Sequence, residues 1–454
     1  MNRLSIARLA EAGVAALPYD RSVPPTIVHL GVGAFARAHL GVYADDLLRN
    51  GRPATIAGVS LRDPRTEALL VPQDGLYTVT EREPGAAPAP RVIGSFTTVG
   101  TGPDHAVALI GEHAPSLVTL TVTEKGYEVP AADLADPGGA RSAAGVLARA
   151  LGAVRRSGAR PPAIASLDNL ADNGTVLRGA VHLVAERIDH RLPAWIDRHV
   201  EFPSSVVDRM VPASTDADRT EVAAVLGLLD EAAVVAEHHR SWAIQSVDGL
   251  PPFEDVGVEV VASVAAHQRR KLWLLNAPHS ALAYAGLLAG VTTIADALAH
   301  PIAGPFGRAV SNDILAVVDL PPAMEAPEFA AESLARFANR ALGHTCTQVG
   351  ADGSRKLTQR IFPVAEARAA AGLPNRRLAM VTAIWLAAVA HRPVAGVTLP
   401  AVDDPISAVL AGTTDDDLVA VAIGHGAAVS FAAEVRSALD RLAGDGIATL
   451  VECL

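Results

Sequence analysis

The segment 271–280 places an amine, an amide and an imidazole among apolar residues, at Lys271, Asn276 and His279. If the segment is α-helical, at about 100° per residue, Asn276 lies roughly 140° and His279 roughly 80° around the axis from Lys271. All three side chains could then face one cavity. A lysine among leucines loses solvation, which lowers its pKa from about 10.4 and lets it accept a proton from an alcohol near neutral pH. The spacing therefore indicates alcohol oxidation without a metal.

The same residues also allow a structural interpretation. Taken alone, Lys271 could be an amphipathic lysine whose stem packs and whose amine reaches water. The presence of Asn276 and His279 in the same segment favours the catalytic interpretation. Pro278 lacks a backbone N–H and clashes with the carbonyl of Leu274, so we expect a kink or a tightening of the helix there, or its end.

A glycine-rich turn follows the first strand-like run, 26–30, and opens an expected helix through residue 48. Its Gly-x-Gly-x-x-Ala pattern is the fingerprint of dinucleotide binding in this strand–turn–helix context. The first glycine allows the tight turn, the second lets a pyrophosphate approach the backbone, and the alanine lets the helix pack closely on the strand. The residues that we expect to contact the cofactor here are Gly31, Gly33, Ala34, Phe35 and Ala36.

The choice between NAD and NADP depends on the end of the second strand-like run, 54–60. Asp63 is the carboxylate that stands there, and a carboxylate favours the free ribose 2′-hydroxyl of NAD. Arg62 or Arg65 could instead pair with the 2′-phosphate of NADP. We therefore predict NAD and leave NADP open.

Polar side chains follow the next two strand-like runs, at the end of the sheet where α/β sites form. Thr123, Glu124 and Lys125 follow the third run, which predicts a position on the nicotinamide side of the cofactor. Glu124 and Lys125 could also be a solvated pair. Asn169 follows the fourth run and is a candidate site residue, although Asp168-Asn169 is equally ordinary turn chemistry.

The order of the runs predicts an α/β fold in two domains. A chain of 454 residues exceeds the size at which single cores stop growing. Apolar strands spaced by helices indicate a parallel sheet that is covered on both faces, with a hairpin inserted around residues 77–96. We predict a Rossmann-type NAD(P)-binding domain over residues 1–264 and a mostly α-helical substrate domain over 265–454. The segment 271–280 would be the first long helix of the second domain and enter a cleft between the two.

Composition excludes several classes of partner. The net charge of −11 argues against nucleic-acid binding, which needs clustered basic residues. The longest apolar run, 378–390, is too short for a membrane span and predicts a buried helix. Two cysteines, Cys346 and Cys453, cannot form a disulfide framework or a four-cysteine zinc site, which favours a cytoplasmic protein. His238, His239 and His267 lack closely paired acidic ligands, so we expect no metal.

Six ordered motifs make the chain resemble the mannitol dehydrogenase family, the polyol-specific long-chain dehydrogenases/reductases that include mannitol 2-dehydrogenase and fructuronate reductase. The resemblance runs from about residue 24 to the end of the chain. Its motifs are Ile27-Val-His-Leu-Gly-Val-Gly33, Thr121-Val-Thr-Glu-Lys-Gly-Tyr127, Ser166-Leu-Asp-Asn169 with Asn173-Gly174, Phe202-Pro203 before Val207-Asp208-Arg209, the segment 271–280, and Asp352-Gly-Ser-Arg-Lys356 with Gln359-Arg360.

The resemblance implies a Rossmann-type domain, a helical C-terminal domain and metal-independent hydride transfer with NAD(P). By analogy Lys271 is the general base, and Asn169 and Asn276 hold the alkoxide as it forms. His279 would orient the substrate through a hydroxyl. Asp208 and Lys356 resemble positions that bind the polyol or sugar-acid chain, and Lys356 with Arg360 suggests an anionic group on the substrate.

Three positions depart from the family pattern and bear on the substrate. Gln268 stands where an acidic residue often precedes the catalytic lysine, and His238-His239 replaces a usual Pro-Phe. Gln348 stands where some mannitol dehydrogenases carry an arginine, which favours the fructuronate-reductase-like branch. We expect interconversion of a secondary alcohol and a ketone, as in mannitol/fructose or mannonate/fructuronate. The alternatives are a dehydrogenase of a phosphorylated polyol such as mannitol 1-phosphate, and a non-catalytic nucleotide-binding regulator.

Overall fold

The computed structural model describes residues 1–83, 85–413, 415–423 and 429–454, so Pro84 of the expected hairpin loop lies outside the described residues. The chain forms two compact units, Met1–Ala265 and Ala266–Leu454. All strands of the described residues lie in the first unit. They are β1 Ile27–Leu30, β2 Ile56–Ser60, β3 Tyr77–Arg82, β4 Arg91–Ile93, β5 Phe96–Thr101, β6 Leu117–Leu120, β7 Ala163–Ser166, β8 Ser205–Asp208, β9 Val234–Glu237, β10 Ser241–Gln245 and β11 Glu259–Val261.

The main sheet of the first unit is parallel and has the strand order β5-β2-β1-β6-β7. The order reverses between β1 and β6. In open α/β sheets, ligands bind beyond the carboxyl ends of the strands at such a switch point. The turn after β1 and the segment after β6 therefore mark the expected nucleotide site.

Helices cover both faces of this sheet, as the apolar strands predict. Neighbouring residues of β1 point to opposite faces, so Ile27 belongs to one hydrophobic cluster and Val28 to another. The helices of the first unit are α1 Ile6–Leu9, α2 Ala34–Ala38, α3 Leu40–Arg49, α4 Arg65–Leu70, α5 Pro103–His113, α6 Ala131–Ala135, α7 Ala143–Ser157, α8 Asn173–Ile188, α9 Leu192–His199 and α10 Asp216–Leu226. The prediction of one helix through residue 48 is wrong, because it breaks at His39, with φ −109° and ψ −82°.

Two three-stranded sheets complete the first unit, in the orders β4-β3-β9 and β11-β10-β8. Strands β3 and β4 pair antiparallel, with Tyr77 opposite Ile93, which confirms the predicted hairpin for these strands. Phe96, which the sequence placed in the same hairpin, instead begins β5 of the main sheet.

The second unit is helical in its described residues. Its helices are α11 Ala265–Arg270, α12 Ala277–Leu288, α13 Ile294–Ala299, α14 Ala303–Leu315, α15 Ala326–Phe337, α16 Cys346–Gly350, α17 Gly353–Arg360, α18 Phe362–Ala370, α19 Arg376–Val389, α20 Ser407–Ala411, α21 Asp415–Ile423, α22 Val429–Asp445 and α23 Ala448–Glu452. Helix α12 is buried almost throughout and packs on α13, α14, α16 and α19. Helix α19 is buried from Leu378 to its end, which confirms the buried helix predicted over 378–390. None of the described helices is both long and apolar enough to cross a membrane.

Candidate functional site

The turn after β1 contains two glycines, and glycine is needed at each of them for a different structural reason. Gly31 has φ +99°, and a Cβ there would lie 2.1 Å from the carbonyl oxygen of Thr121 at the end of β6. Gly31 is therefore required by the close approach of the neighbouring strand as well as by its backbone conformation. A Cβ at Gly33 would meet nothing within 4 Å. The space above Gly33 is what a pyrophosphate at the start of α2 would need.

His29 holds the turn from inside the sheet. Its Nδ1 lies 2.8 Å from Thr119 Oγ1, and its Nε2 lies 3.1 Å from the carbonyl oxygen of Gly31 and 3.1 Å from Thr121 Oγ1. Burial lowers the pKa of His29 to about 4, so the ring is neutral at pH 7. The imidazole thus ties β1 to β6 directly beneath the glycine turn.

A cavity of about 410 Å³ opens at the switch point of the sheet. It brings together three residues that the sequence predicted as cofactor contacts, Gly31, Asp63 and Thr123. The remaining lining comes mainly from the ends of β2 and β6 and from the start of α7, and consists of Val32, Ser60, Leu61, Arg62, Thr121, Val122, Gly126, Glu128, Ser142 and Ala143. A cavity at this place fits a dinucleotide in both position and lining.

Three further predicted cofactor contacts, Ala34, Phe35 and Ala36, lie around the same turn. Ala36 is fully buried against the sheet, as expected for close helix packing. Ala34 is half-buried, and the ring of Phe35 stacks on His39 at 5.0 Å between ring centres. The side chains of Glu124 and Lys125 lie outside the part of the chain that the structure describes.

Asp63 follows the end of β2, and its carboxylate forms an ion pair with Arg65. The two side chains form an ion pair at 2.5 Å, and the backbone N–H of Arg65 donates to Asp63 Oδ1 at 3.0 Å. The hydrogen bonds from Arg65 lower the pKa of Asp63. An ionised carboxylate is thus present at the position where the ribose of a dinucleotide is recognised.

Asp168 is a site residue that sequence reasoning did not identify. Its carboxylate accepts the backbone N–H groups of Val122 and Thr123, each at 3.0 Å, and the hydroxyl of Tyr127 at 2.6 Å. Burial raises the pKa of Asp168, and the hydrogen bonds from Tyr127 and the backbone oppose the rise. Thr123 itself has φ +65°, a conformation that a β-branched residue rarely adopts. Asp168 therefore fixes the segment that lines the cavity after β6.

Asn169 follows Asp168 and is exposed in the first unit. Its loop is held from the other side by Asn173, whose Nδ2 donates to the carbonyl oxygens of Asp168 at 3.2 Å and Ser205 at 2.9 Å. Asn173, the first residue of α8, therefore holds this loop in place. Asn169 remains a candidate for contact with a ligand.

The predicted α-helix over 271–276 is wrong in its type. Residues Lys271–Asn276 form a π-helix between α11 and α12. Pro278 cannot donate to the carbonyl of Leu274, and its ring would clash with that carbonyl in an α-helix. The wider turn, with i→i+5 hydrogen bonds, lets the helix continue past the proline instead of tightening or ending. Asn276, five residues after Lys271, consequently returns towards the side of the axis that carries the lysine.

Two polar atoms near this turn are buried and have no hydrogen-bond partner among the described residues, Asn276 Nδ2 and His279 Nε2. The ring of His279 stacks on Phe337, with 4.5 Å between ring centres and 13° between planes. Burial, and then the nearby His344, Arg360, Lys356 and Arg336, hold the pKa of His279 well below its ordinary value. His279 is therefore neutral at pH 7. Lys271, at the start of the π-helix, is half-buried.

Lys356 and Arg360 lie one helical turn apart on α17, which packs against the π-helix. Arg360 is buried, and its Nη1 donates to Ser280 Oγ at 3.0 Å, next to His279 in the chain. Lys356 Nζ donates to the carbonyl oxygen of Val349 at 3.1 Å. The structure thus brings Lys356 and Arg360 close to His279, on a helix that packs against the π-helix of Lys271 and Asn276.

Asp208 lies in the first unit at the end of β8. It is buried, and its Oδ2 is 3.6 Å from Nε2 of His239, one of the histidine pair that departs from the family pattern. In the described ranges no three His, Cys, Asp or Glu side chains are grouped as a metal site would require.

A parallel sheet with a switch point, a glycine turn and a cavity at that point defines the first unit as a Rossmann-type dinucleotide-binding fold. Two family models then cover most of the chain. The mannitol dehydrogenase Rossmann domain matches residues 25–254, and the mannitol dehydrogenase C-terminal domain matches residues 263–433. The chain belongs to the mannitol dehydrogenase family.

Individual relatives carry two different names. A mannitol 2-dehydrogenase of Pyrenophora tritici-repentis is 36% identical over 79% of this chain and 68% of its own length. The D-mannonate oxidoreductase of Escherichia coli is 34% identical over 82% of each chain. Among solved structures, the mannitol 2-dehydrogenase of Pseudomonas fluorescens, in a ternary complex with NAD and D-mannitol, matches with a TM-score of 0.89 and 27% identity over 99% of both chains.

Proposed function

We propose that the chain is an NAD-dependent oxidoreductase that interconverts a secondary alcohol and a ketone on an open-chain polyol or sugar acid. The observation that carries the proposal is a pair of buried polar atoms in the segment 271–280, Asn276 Nδ2 and His279 Nε2, which lack a partner in the described part of the chain. Buried polar atoms almost always have a hydrogen-bond partner. A ligand that presents several oxygen atoms, as a polyol does, would supply hydrogen-bond partners for both atoms.

The cofactor assignment rests on the first unit. The open space at Gly33 and the cavity at the switch point fit a dinucleotide. The carboxylate of Asp63 favours NAD over NADP because a 2′-phosphate would be repelled by it. Bound NAD⁺ would supply the hydride acceptor. We assign its binding to the glycine turn, Asp63 and the segment that begins at Thr123.

In the oxidative direction Lys271 Nζ takes the proton of the reacting hydroxyl group. The amides of Asn169 and Asn276 donate hydrogen bonds to the oxygen as it gains negative charge, which stabilises the transition state without adding a competing charge. Neutral His279 holds a neighbouring hydroxyl and so fixes the carbon that reacts. Asp208, Lys356 and Arg360 bind the rest of the substrate chain.

The lysine content of the chain supports this assignment. The sequence has 38 basic residues of the Lys and Arg types, yet only three are lysines, Lys125, Lys271 and Lys356. Arginine stays protonated in proteins, whereas lysine can lose its proton when it is desolvated. All three lysines fall in motifs that the sequence analysis assigned to the site, and at Lys271 the chemistry requires a base that arginine cannot provide.

We further place the protein in the cytoplasm. Cys346 and Cys453 are both free and buried, as reduced thiols of a cytoplasmic protein would be.

Turnover with both cofactors tests the proposal. NADH or NADPH oxidation would be followed by absorbance with open-chain ketoses and ketose acids, in the presence of a chelator. We expect NADH-dependent reduction that falls about 100-fold or more in Asn276→Ala, because an oxyanion donor is lost. The control is Asn312→Ala, which removes an exposed amide from α14 of the same unit and should leave the rate unchanged. No turnover by folded protein that binds NADH, or full activity of Asn276→Ala, would contradict the proposal.

A further inference from the structure

Helix α2 begins at the glycine turn and ends after five residues, because the backbone breaks at His39. The last carbonyl groups of a helix have no partner within it and need donors from elsewhere. The hydroxyl of Tyr77 on β3 donates to the carbonyl oxygen of Arg37 at 2.8 Å. Arg209, the residue after β8, donates from Nη1 to the carbonyl oxygen of Ala38. The end of the nucleotide helix is therefore held by side chains from the two small sheets.

The side chain of Arg209 is fully buried and makes four hydrogen bonds. Besides the carbonyl of Ala38, it binds the carbonyl oxygen of Glu237 on β9, from Nε at 3.0 Å and from Nη2 at 2.9 Å. Its Nη2 also forms an ion pair with Glu81 on β3 at 2.5 Å. A guanidinium holds its donors in a rigid planar fork, so a lysine could not make the same set of bonds. Arg209 thus fixes the end of α2 against two neighbouring strands.

Asp208, a candidate substrate residue, comes directly before Arg209 and ends β8. It lies opposite Ser241 of β10, and the carbonyl oxygen of Ser241 is 3.0 Å from Nε2 of His39 at the end of α2. The ring of His39 in turn stacks on Phe35, the second residue of α2, with 5.0 Å between ring centres. Both the strand that carries Asp208 and the strand opposite are therefore tied to the helix that opens at the glycine turn.

We propose that Arg209 is a positioning residue that couples cofactor binding to substrate binding. The inference rests on the proposed function, in which the pyrophosphate lies at the start of α2 and Asp208 binds the substrate chain. A dinucleotide that orders the glycine turn orders α2 with it, and Arg209 transmits this order to Asp208. The substrate then binds a segment that is already held in place, which costs less conformational entropy. Such coupling is reciprocal, so the substrate raises the affinity for the cofactor by the same factor.

Titration of NADH by fluorescence, with and without D-mannitol or D-mannonate, measures the coupling, because neither alcohol can react with the reduced cofactor. For wild-type protein we expect at least one of the two to lower the Kd for NADH about 5-fold or more, the usual range of coupling between sites. In Arg209→Lys, which keeps the charge and loses the fork, this factor should fall below about 2. A general weakening of the fold would change both Kd values together and leave their ratio unchanged.

Two further variants separate the link from the fold. Arg155→Lys is the matched control, because Arg155 lies on α7 of the same unit and pairs with Asp189 at 3.0 Å. It should keep the wild-type factor. Tyr77→Phe removes the hydroxyl that binds the carbonyl of Arg37 and leaves Arg209 in place. It loosens the same end of α2, so the factor should fall here as well.

The inference would be overturned by a wild-type factor of one when both ligands bind, or by an unchanged factor in Arg209→Lys. Should Arg209→Lys not fold, an unchanged factor in Tyr77→Phe would overturn it instead. Each of these results leaves the proposed function intact. If calorimetry shows that neither alcohol binds to folded protein loaded with NADH, the proposed function fails as well.

Discussion

Asp168 connects the loop that carries Asn169 to the segment that lines the nucleotide cavity, so we expect Asp168→Asn to weaken cofactor binding. The carboxylate accepts two backbone N–H groups, from Val122 and Thr123, and the hydroxyl of Tyr127. Asparagine has one acceptor oxygen, so at least one N–H of this segment loses its acceptor. Losing a partly exposed hydrogen bond to a charged acceptor costs about 1–3 kcal/mol.

That range corresponds to a factor of about 5 to 150 in an equilibrium constant. Because Thr123 is held at φ +65°, losing its hydrogen bond frees the segment to leave that conformation. We therefore expect a 5-fold or greater rise in the Kd for NADH, measured by fluorescence titration, together with a lower melting temperature. Tyr127→Phe, which keeps both backbone hydrogen bonds, should have a smaller effect.

Asp197→Asn is the matched control, because Asp197 is half-exposed on α9 and pairs with His182 at 3.2 Å in the same unit. It should change neither the Kd nor the melting temperature. If Asp168→Asn binds NADH within two-fold of wild type at equal stability, Asp168 does not position the cofactor segment and our reasoning about this residue is wrong.

Further predictions concern stability and pH. Gly31→Ala should destabilise the first unit, since its Cβ would lie 2.1 Å from a backbone oxygen, whereas Gly33→Ala should fold normally and raise the Kd for NADH. The pKa of His29 is lowered from 6.5 to about 4 on folding. The contribution of His29 to the free energy of unfolding is therefore complete above pH 6.5 and is lost as the pH falls towards 4. In His29→Gln, the free energy of unfolding should depend less steeply on pH. The slope should fall by up to about 1.4 kcal/mol per pH unit between about pH 4 and pH 6.5. Asp230→Ala, which removes the acceptor of four buried hydrogen bonds, should cost about 3 kcal/mol or more in urea unfolding.

The nucleotide half of the site was largely predictable from the sequence. The four apolar runs became β1, β2, β6 and β7, because buried parallel strands have a clear local pattern. The glycine turn was identified from spacing alone, yet the reason for Gly31 was not. The close approach of Thr121, 90 residues away in the chain, depends on which strand neighbours β1.

The elements that the sequence misplaced depend on tertiary or local backbone geometry. Pro278 indicated an irregularity in the helix. A kink, a tighter turn and a wider turn can each accommodate a proline, which has no backbone N–H to donate. Only the packed structure shows that residues Lys271–Asn276 form a π-helix. Asp168 was missed because its partners lie more than 40 residues away, and Asp-Asn after a strand is ordinary turn chemistry.

The central claim is that Lys271 acts as the base of the reaction, and single-turnover hydride transfer in Lys271→Ala tests it most directly. The rate would be measured by stopped-flow absorbance, beside the Kd for NADH and an Arg269→Ala control, which removes an exposed positive charge two residues earlier. We predict a loss of about 10²–10⁴ in the rate, the usual contribution of a general base, with the Kd for NADH unchanged and the control fully active. A Lys271→Ala rate within ten-fold of wild type would contradict the account.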